Sequence, residues 1–281
     1  MTGLLLIDKE PDWTSHDVVA KLRGTLREKH IGHAGTLDPM ATGLLVVLCG
    51  RATRASEYAE ATEKEYVAAL RPGIVTDTQD ITGTVLSRSA ALPTEAELCA
   101  VLPRFTGTIS QLPPMYSAIK IGGKKLYEIA RRGGEVERQP REITIHSLEY
   151  LGRQEEDFLL RVRCSKGTYI RTLCHDIGAA LGYGAAMASL RRTACFPFSV
   201  DDACKVNEAD STRLLPLDSL FSAHPALTLT AKQEKLCRCG NSFPADAENG
   251  EYRFYASDGV FLAYGRIENG SGITVKSFFE V

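Results

Sequence analysis

The chain opens without any apolar run long enough to cross a bilayer. "MTGLLLIDKE" offers only Gly3 and Leu4 to Ile7 before an acid, which excludes a signal peptide or membrane span there and leaves the cytoplasm as the expected setting, with no membrane partner. Metal-ligand spacing is missing too. The eight cysteines, at 49, 99, 164, 174, 195, 204, 237 and 239, are scattered, and the closest pair, Cys237 and Cys239, has neither the spacing nor the second pair that zinc needs. Plain thiols in a reducing compartment are expected, and no metal. Nucleotide loops are absent as well. "IGGKK" lacks the Ser or Thr after its Gly-Lys, and "GYGAAM" follows a helix pattern and lacks a third glycine, so no nucleotide cofactor is expected and a Rossmann-type enzyme is disfavoured. There is no tandem repeat and no low-complexity tract.

Nor is there an excess of one charge. A net charge of -2 over 281 residues gives no overall basic footprint for a polyanion. The distribution is uneven, however. Residues 120–141, "KIGGKKLYEIARRGGEVERQPR", carry seven Lys/Arg against three Glu, a local +4, and 161–171, "RVRCSKGTYIR", carry four Lys/Arg and no acid. A basic channel on a neutral protein is therefore open, as is a pair of solvated surface segments. Length and a 44% hydrophobic content fit one large core with a small appendage.

Periodicity supplies the elements. Ser15 reads as an N-cap for a helix carrying Val18, Val19, Leu22 and Leu26. "LLVVLC" (44–49) is apolar on both faces, as a central strand would be, and "KEYVAAL" (64–70) is a second strand, ended by Pro72-Gly73. "VTDTQDITG" (75–83) reads as a polar loop, and "TEAE" (94–97) as a capping box. "KKLYEIARRGG" predicts a short basic helix stopped by Gly133-Gly134. "REITIHSLEYL" and "FLLRVRC" predict adjacent antiparallel strands, and "GTYIRTLCHDIGAALG" a helix with Thr168 near its N-cap and Gly182 past its end. Past residue 222 come short β-like pieces separated by "SDG" and "ENGSG", a small β-rich appendage.

The segment "GHAGTLDPMATG" (32–43) carries the chemistry worth weighing. Asp38 before Pro39 suits an ordinary helix start. Yet Gly32, Gly35 and Gly43 permit positive φ or close backbone approach, and His33 adds a planar ring. A carboxylate there suits a nucleophile. Arg171 suits a partner that keeps such a carboxylate ionised, or a plain helix-surface residue. Tyr66 and Tyr169 suit core aromatics or platforms for an extruded base.

The segments "LLLIDKEPDWTSHD", "GHAGTLDPMATGLLVVLCG", "KEYVAALRPGIVTDTQDITG", "PPMYSAIKIGGKKLYEIARRG", "CSKGTYIRTLCHDIG" and "LRRT" together resemble the bacterial TruB family of tRNA pseudouridine synthases, in order and spacing over residues 3–193. The resemblance implies an α/β (α+β type) pseudouridine synthase fold, a mixed, largely antiparallel sheet flanked by helices, as a catalytic domain over 1–221. It places an RNA-gripping insertion at 115–141. A small β-rich PUA-like RNA-binding domain follows at 222–281. It implies a cytoplasmic isomerase without cofactor or metal, acting on a uridine of the tRNA T-arm stem-loop, with help to tRNA folding as a compatible activity; a monomer is the default expectation. A protein that only binds or folds RNA is the rival reading. By the same resemblance Asp38 is the nucleophile, Tyr66 stacks on the flipped base and assists proton transfer, and Arg171 pairs with Asp38. Tyr169 and Leu190 line the base pocket, and His33 fills the gap the base leaves. Lys9 is available for a backbone or phosphate contact. The chain departs from the family's Lys-Pro-x-Gly pattern: Glu10, Pro11 and Asp12 follow Lys9, which puts the geometry of that turn in question.

Overall fold

A computed structural model describes residues 1–117 and 119–279; Ala118 of the 115–141 insertion and Glu280 and Val281 of the 222–281 segment lie outside the described residues. In chain order the main body holds β1 (Gly3–Lys9), α1 (Ser15–Leu26), β2 (Ile31–Ala34), β3 (Thr42–Cys49), α2 (Ser56–Ala61), β4 (Lys64–Pro72), β5 (Ile74–Thr76) and β6 (Val85–Arg88). It continues with α3 (Glu95–Val101), β7 (Gly107–Gln111), β8 (Lys120–Ile121), β9 (Lys124–Lys125), α4 (Leu126–Ala130), β10 (Arg141–Gln154), β11 (Asp157–Cys164), α5 (Ile170–Leu181), β12 (Ala185–Cys195) and β13 (Phe198–Ser199). Single-turn helices over 200–221 lead to β14 (Ala226–Thr228), α6 (Ala231–Arg238), β15 (Phe243–Pro244), β16 (Gly250–Tyr255), β17 (Phe261–Glu268) and β18 (Ser271–Ser277).

Nine strands form one mixed sheet, in the order β1-β3-β12-β4-β11-β10-β7, with β2 on β3 and β13 on β12. Every pairing is antiparallel except β12 with β3, a parallel contact of two residues, Arg191 opposite Thr42 and Arg192 opposite Gly43. The sheet is thus two antiparallel halves meeting at one narrow seam. Gly43 makes the seam possible: its φ is 97°, and a Cβ there would lie 2.2 Å from the Arg192 carbonyl oxygen.

β3 is buried along both faces, which is why its sequence is an unbroken apolar run. On one face Leu45 and Val47 join Leu5 and Ile7 under Val18, Val19 and Leu22 of α1. On the other, Leu44, Val46 and Leu48 pack with Ala52, Ala55, Leu217, Leu220 and Phe221. The second half of the sheet packs Phe158, Leu160 and Val162 against Leu173 and Ile177 of α5 and Leu98 of α3. The terminal strands make a separate five-stranded sheet, β14-β16-β17-β18-β15, with its own core around Phe243, Phe254 and Ile267. It docks on the main body through rings: Tyr264 stacks on Phe221 at 4.6 Å, and Tyr58 meets both edge-on. Lys276 of this sheet pairs with Glu57 of α2 at 2.9 Å.

The ends of elements differ from the sequence reading in two places. The N-cap of α1 is Thr14, in a capping box with Asp17. Ser15 is buried and occupied elsewhere: its Oγ accepts from the Leu37 N–H at 2.9 Å and lies 3.2 Å from the Leu37 carbonyl oxygen, to which it donates. Asp38 starts no helix. Asp38 and Pro39 make a turn closed by the Ala41 N–H donating to the Asp38 carbonyl at 3.0 Å, and β3 begins at Thr42, leaving no length for a helix. The N-cap of α5 is Tyr169, next to Thr168, whose hydroxyl donates back to the Ser165 carbonyl. The Thr94 box and the Gly182 stop, at φ 81°, agree with the sequence.

Adding one methyl at the seam should be costly. Gly43→Ala must strain φ and push the Arg192 backbone away at once, and a loss of about 2–4 kcal/mol is expected in denaturant unfolding. A loss below ~0.5 kcal/mol, the size of an ordinary surface substitution, would show that the seam yields freely.

Candidate active site

Three charged side chains meet where the seam opens to solvent. Arg171, one residue into α5, sets its Nε 3.0 Å from Asp38 Oδ2, with Nη2 3.5 Å from Oδ1. The same guanidinium donates to the carbonyls of Thr78 at 3.2 Å and Tyr116 at 2.8 Å, and its Nη1 stands 3.7 Å from Asp80 Oδ2. Arg171 is therefore no surface helix residue. Side-chain exposure divides the group sharply: 7% for Arg171, 7% for Asp80 and 38% for Asp38. Only Asp38 offers its carboxylate outward.

Asp80 belongs to the stretch read from sequence as a polar loop. Its carboxylate is held by the Thr78 hydroxyl at 2.8 Å and by the Thr82 hydroxyl and N–H at 2.6 and 3.0 Å. The sequence signal was present: an Asp with Thr two residues to either side is a loop that can satisfy a buried carboxylate from its own hydroxyls. Burial raises the pKa of Asp38; the Arg171 charge opposes that rise, the Asp80 carboxylate adds to it, and Lys9 opposes it again. The guanidinium is thus what favours the ionised form of a carboxyl that its surroundings would protonate.

The loop carrying Asp38 is pinned along its backbone. Lys9 is 1% exposed and donates its ammonium to the carbonyls of Glu10 at 2.9 Å, Trp13 at 2.6 Å and Pro39 at 3.1 Å. Of the two contacts open to Lys9 it makes the backbone one; with all three N–H bonds spent inside, none points at a phosphate. Asp12 donates its N–H to the same Pro39 carbonyl at 2.9 Å and sits at φ 66°. That is the left-handed region where the family's glycine would be at ease, and Asp is one of the few other residues that enters it at low cost. The turn geometry survives the departure in sequence.

Tyr66 on β4 and Leu190 on β12 are buried on adjacent strands, in one apolar cluster with Leu37 and Ala41, the residues that bracket Asp38. Burial pushes the Tyr66 hydroxyl up to about 12, against the lowering effect of Arg192, so it is a neutral phenol at ordinary pH. Tyr169 is half-buried at the start of α5. Its N–H donates to Gln111 Oε1 at 2.8 Å and its carbonyl accepts from Gln111 Nε2 at 3.1 Å, a two-point clamp that fixes the turn entering Arg171. His33 is half-buried on β2; its Nδ1 has no hydrogen-bond partner among the described residues, and burial, then the charges of Arg192 and His16, lower its pKa. It presents a neutral ring. Asp38 and Arg171 are in direct contact, Tyr66 and Leu190 share the adjoining cluster, and Lys9 acts from below.

Of the glycines of 32–43, two admit Arg192: Gly43 meets its backbone and a Cβ on Gly35 would lie 3.2 Å from its Nη1, whereas Gly32, with no positive φ, has nothing nearer than a Thr53 methyl at 3.9 Å. The 161–171 stretch is less basic than its sequence. Arg161 pairs with Glu149 at 3.5 Å, Arg163 with Glu63 at 2.7 Å while lying over the Phe196 ring, and Arg171 is buried in the site, which leaves Lys166 exposed. Acids brought in from elsewhere in the sheet neutralise two of the four cations, a pairing that a count along the chain does not reveal.

Two family profiles match adjoining stretches of the chain: the N-terminal domain of TruB family pseudouridylate synthases over residues 23–170 and the C-terminal domain of tRNA pseudouridylate synthase B over 171–221. The tRNA pseudouridine synthase B of Opitutus terrae is 51% identical over 221 residues, covering 78% of this chain and 90% of that protein. The enzyme of the same name from Clostridium kluyveri is 36% identical over 99% of this chain and 100% of its own. Among solved structures, one of a Cbf5-Nop10-Gar1 complex superposes with a TM-score of 0.74 at 27% identity, over 98% of this chain and 83% of that one.

The buried ammonium beneath the loop gives a pH signature. Burial lowers the Lys9 pKa from 10.5 to about 8, so between those values the unfolded chain holds a proton that the folded chain has released, and stability rises with pH across that window. The gain is lost as pH falls from 10.5 to about 8, and below that both states hold the proton and stability no longer depends on it. The unfolding free energy of the wild type relative to Lys9→Met should therefore increase by on the order of 3 kcal/mol from about pH 7 to about pH 10.5. A flat or falling difference in parallel denaturant titrations would show that the ammonium is not desolvated.

Proposed function

The chain belongs to the TruB family of tRNA pseudouridine synthases, isomerases that convert uridine in tRNA to pseudouridine, and from this premise we propose that its target is a uridine of the T-arm stem-loop and that Asp38 is the nucleophile. The observation that carries the assignment is the unequal exposure of the three charged groups: Arg171 and Asp80 are enclosed, and Asp38, fixed by Arg171 at 3.0 Å, is the open carboxylate. A paired but accessible carboxylate is an anion ready to attack.

In this reading Asp38 adds to the target nucleotide, the N1–C1′ bond breaks, the uracil turns, and a C5–C1′ bond forms while the C5 proton is lost and N1 regains one. Atoms balance without any external reagent, and Asp38 is released unchanged. Neither cofactor nor metal has a step to perform. Tyr66 stacks on the flipped base; as a phenol held near 12 it is suited to donating a proton or hydrogen bond, not to accepting one. Leu190 and Tyr169 line the base pocket, and Lys9 supports the loop from below. Extruding a base costs a few kcal/mol. Stacking worth ~1–3 kcal/mol per base and a neutral His33 ring occupying the vacated place offset it.

The 115–141 insertion, whose Lys124, Arg131 and Arg132 are exposed, grips the RNA through phosphate contacts. The chain divides into a catalytic unit over 1–221 and a PUA-like RNA-binding unit over 222–281, acts as a cytoplasmic monomer, and helps the opened tRNA refold.

Asp38→Asn should lower pseudouridine formation on a T-loop RNA by ~10³-fold or more, with RNA binding retained; turnover at the wild-type rate would sink the nucleophile assignment. His33→Ala should slow turnover more on a structured stem-loop than on one whose loop has been loosened by sequence changes. Equal losses on both substrates would refute the idea that the ring fills the gap.

A further inference from the structure

Arg192 is the largest fully buried side chain in the protein, 1% exposed, and no ion pair among the described residues includes it. A buried cation without a carboxylate is unusual, because the cost of desolvation must be met by hydrogen bonds alone. Its Nε donates to the Leu44 carbonyl at 2.7 Å and its Nη2 to the Gly35 carbonyl at 3.0 Å. Gly35 and Leu44 are the two ends of the segment that carries Asp38.

We propose that Arg192 is a positioning residue for the reaction: its guanidinium staples both ends of the 35–44 loop and so fixes the Asp38 carboxylate at the height where it attacks. This rests on the reading of Asp38 as the nucleophile.

The surrounding structure is shaped for that task. β12 and β3 pair directly only at Arg191–Thr42 and Arg192–Gly43, so beyond this contact no ladder holds the strands together. The guanidinium takes over there, reaching Leu44 on β3 and then Gly35 where β2 has ended. Glycine is required at both approaches, Gly43 against the Arg192 backbone and Gly35, at φ 75°, against the Arg192 Nη1. The neighbouring side chain is engaged differently. Arg191 makes a two-point contact with Asp8 of β1, at 2.9 and 3.1 Å, which Lys205 shares at 2.9 Å. Successive arginines thus hold different things: one a carboxylate that ties β12 to β1, the other two carbonyls of the reactive loop. A lysine at 192 would bring the same charge but no fork that spans both carbonyls.

The test compares Arg192→Met and Arg192→Lys with wild type and Asp38→Asn, by single-turnover pseudouridine formation on T-loop RNA, by RNA affinity and by melting temperature. Arg192→Met should lower the single-turnover rate ~10–100-fold, as loss of alignment does, with RNA affinity essentially unchanged. Arg192→Lys, which can reach one carbonyl, should fall between Met and wild type; it decides the matter if the Met variant does not fold. Wild-type turnover by Arg192→Lys, or a loss of RNA affinity as large as the loss of rate, overturns the positioning role. Should Asp38→Asn remain active, the nucleophile reading fails instead, whatever the Arg192 variants do.

Discussion

One buried guanidinium holds together segments that are far apart in sequence. Arg171 contacts the Asp38 carboxylate, the Thr78 carbonyl beside Asp80, and the Tyr116 carbonyl at the root of the basic insertion. Its burial is costly; two carboxylates and two carbonyls meet the cost. The arrangement is asymmetric by construction. Asp80 has Thr hydroxyls to satisfy it and can stay enclosed, whereas Asp38 relies on Arg171 and keeps an open side. The chemistry of the site follows from that asymmetry, since burial raises the pKa of the open carboxylate and the enclosed cation behind it opposes that rise.

Around this centre the loop from Gly35 to Leu44 is held by its backbone more than by its side chains. Lys9 and Asp12 converge on the Pro39 carbonyl, Ser15 exchanges hydrogen bonds with Leu37, and Arg192 takes the two ends. Carbonyls and N–H groups are present whatever residue occupies the position. Such anchoring fixes the course of the loop and leaves the Asp38 side chain free of structural duty, which suits a group required to react. The cost is three buried or strained positions: a lysine with a depressed pKa, an Asp at positive φ and a buried arginine with no ion pair among the described residues. Departures of this kind gather where a fold is committed to function.

Local chemistry was legible wherever one element alone decided it. The apolar run of β3, the alternation in β10 and β11, the Thr94 capping box, and the Gly182 stop each encode their own conformation. What failed were inferences from local propensity or charge at positions where a partner from elsewhere decides. Ser15 was a sound cap by propensity, but Thr14 is the residue in extended conformation and Ser15 is claimed by Leu37. Asp38-Pro39 had the form of a helix start, and Arg171 across the cleft draws the carboxylate away from any cap. The arginines of β11 looked like a basic surface until strands β10 and β4 brought Glu149 and the neighbouring Glu63 to them.

The sequence by itself determined the two-faced burial of β3, the sheet-rich tail, the family resemblance and, through it, the pairing of Asp38 with Arg171. Those features are written in periodicity, in turn residues and in an ordered series of motifs. Only the tertiary structure decided that Asp80 completes the site, that Lys9 faces inward, and that Gly35 and Gly43 admit Arg192. The physical reason is shared. Each of these depends on what a buried polar group finds to bond with across the seam of the sheet, and a residue's partners in space are not spaced along the chain.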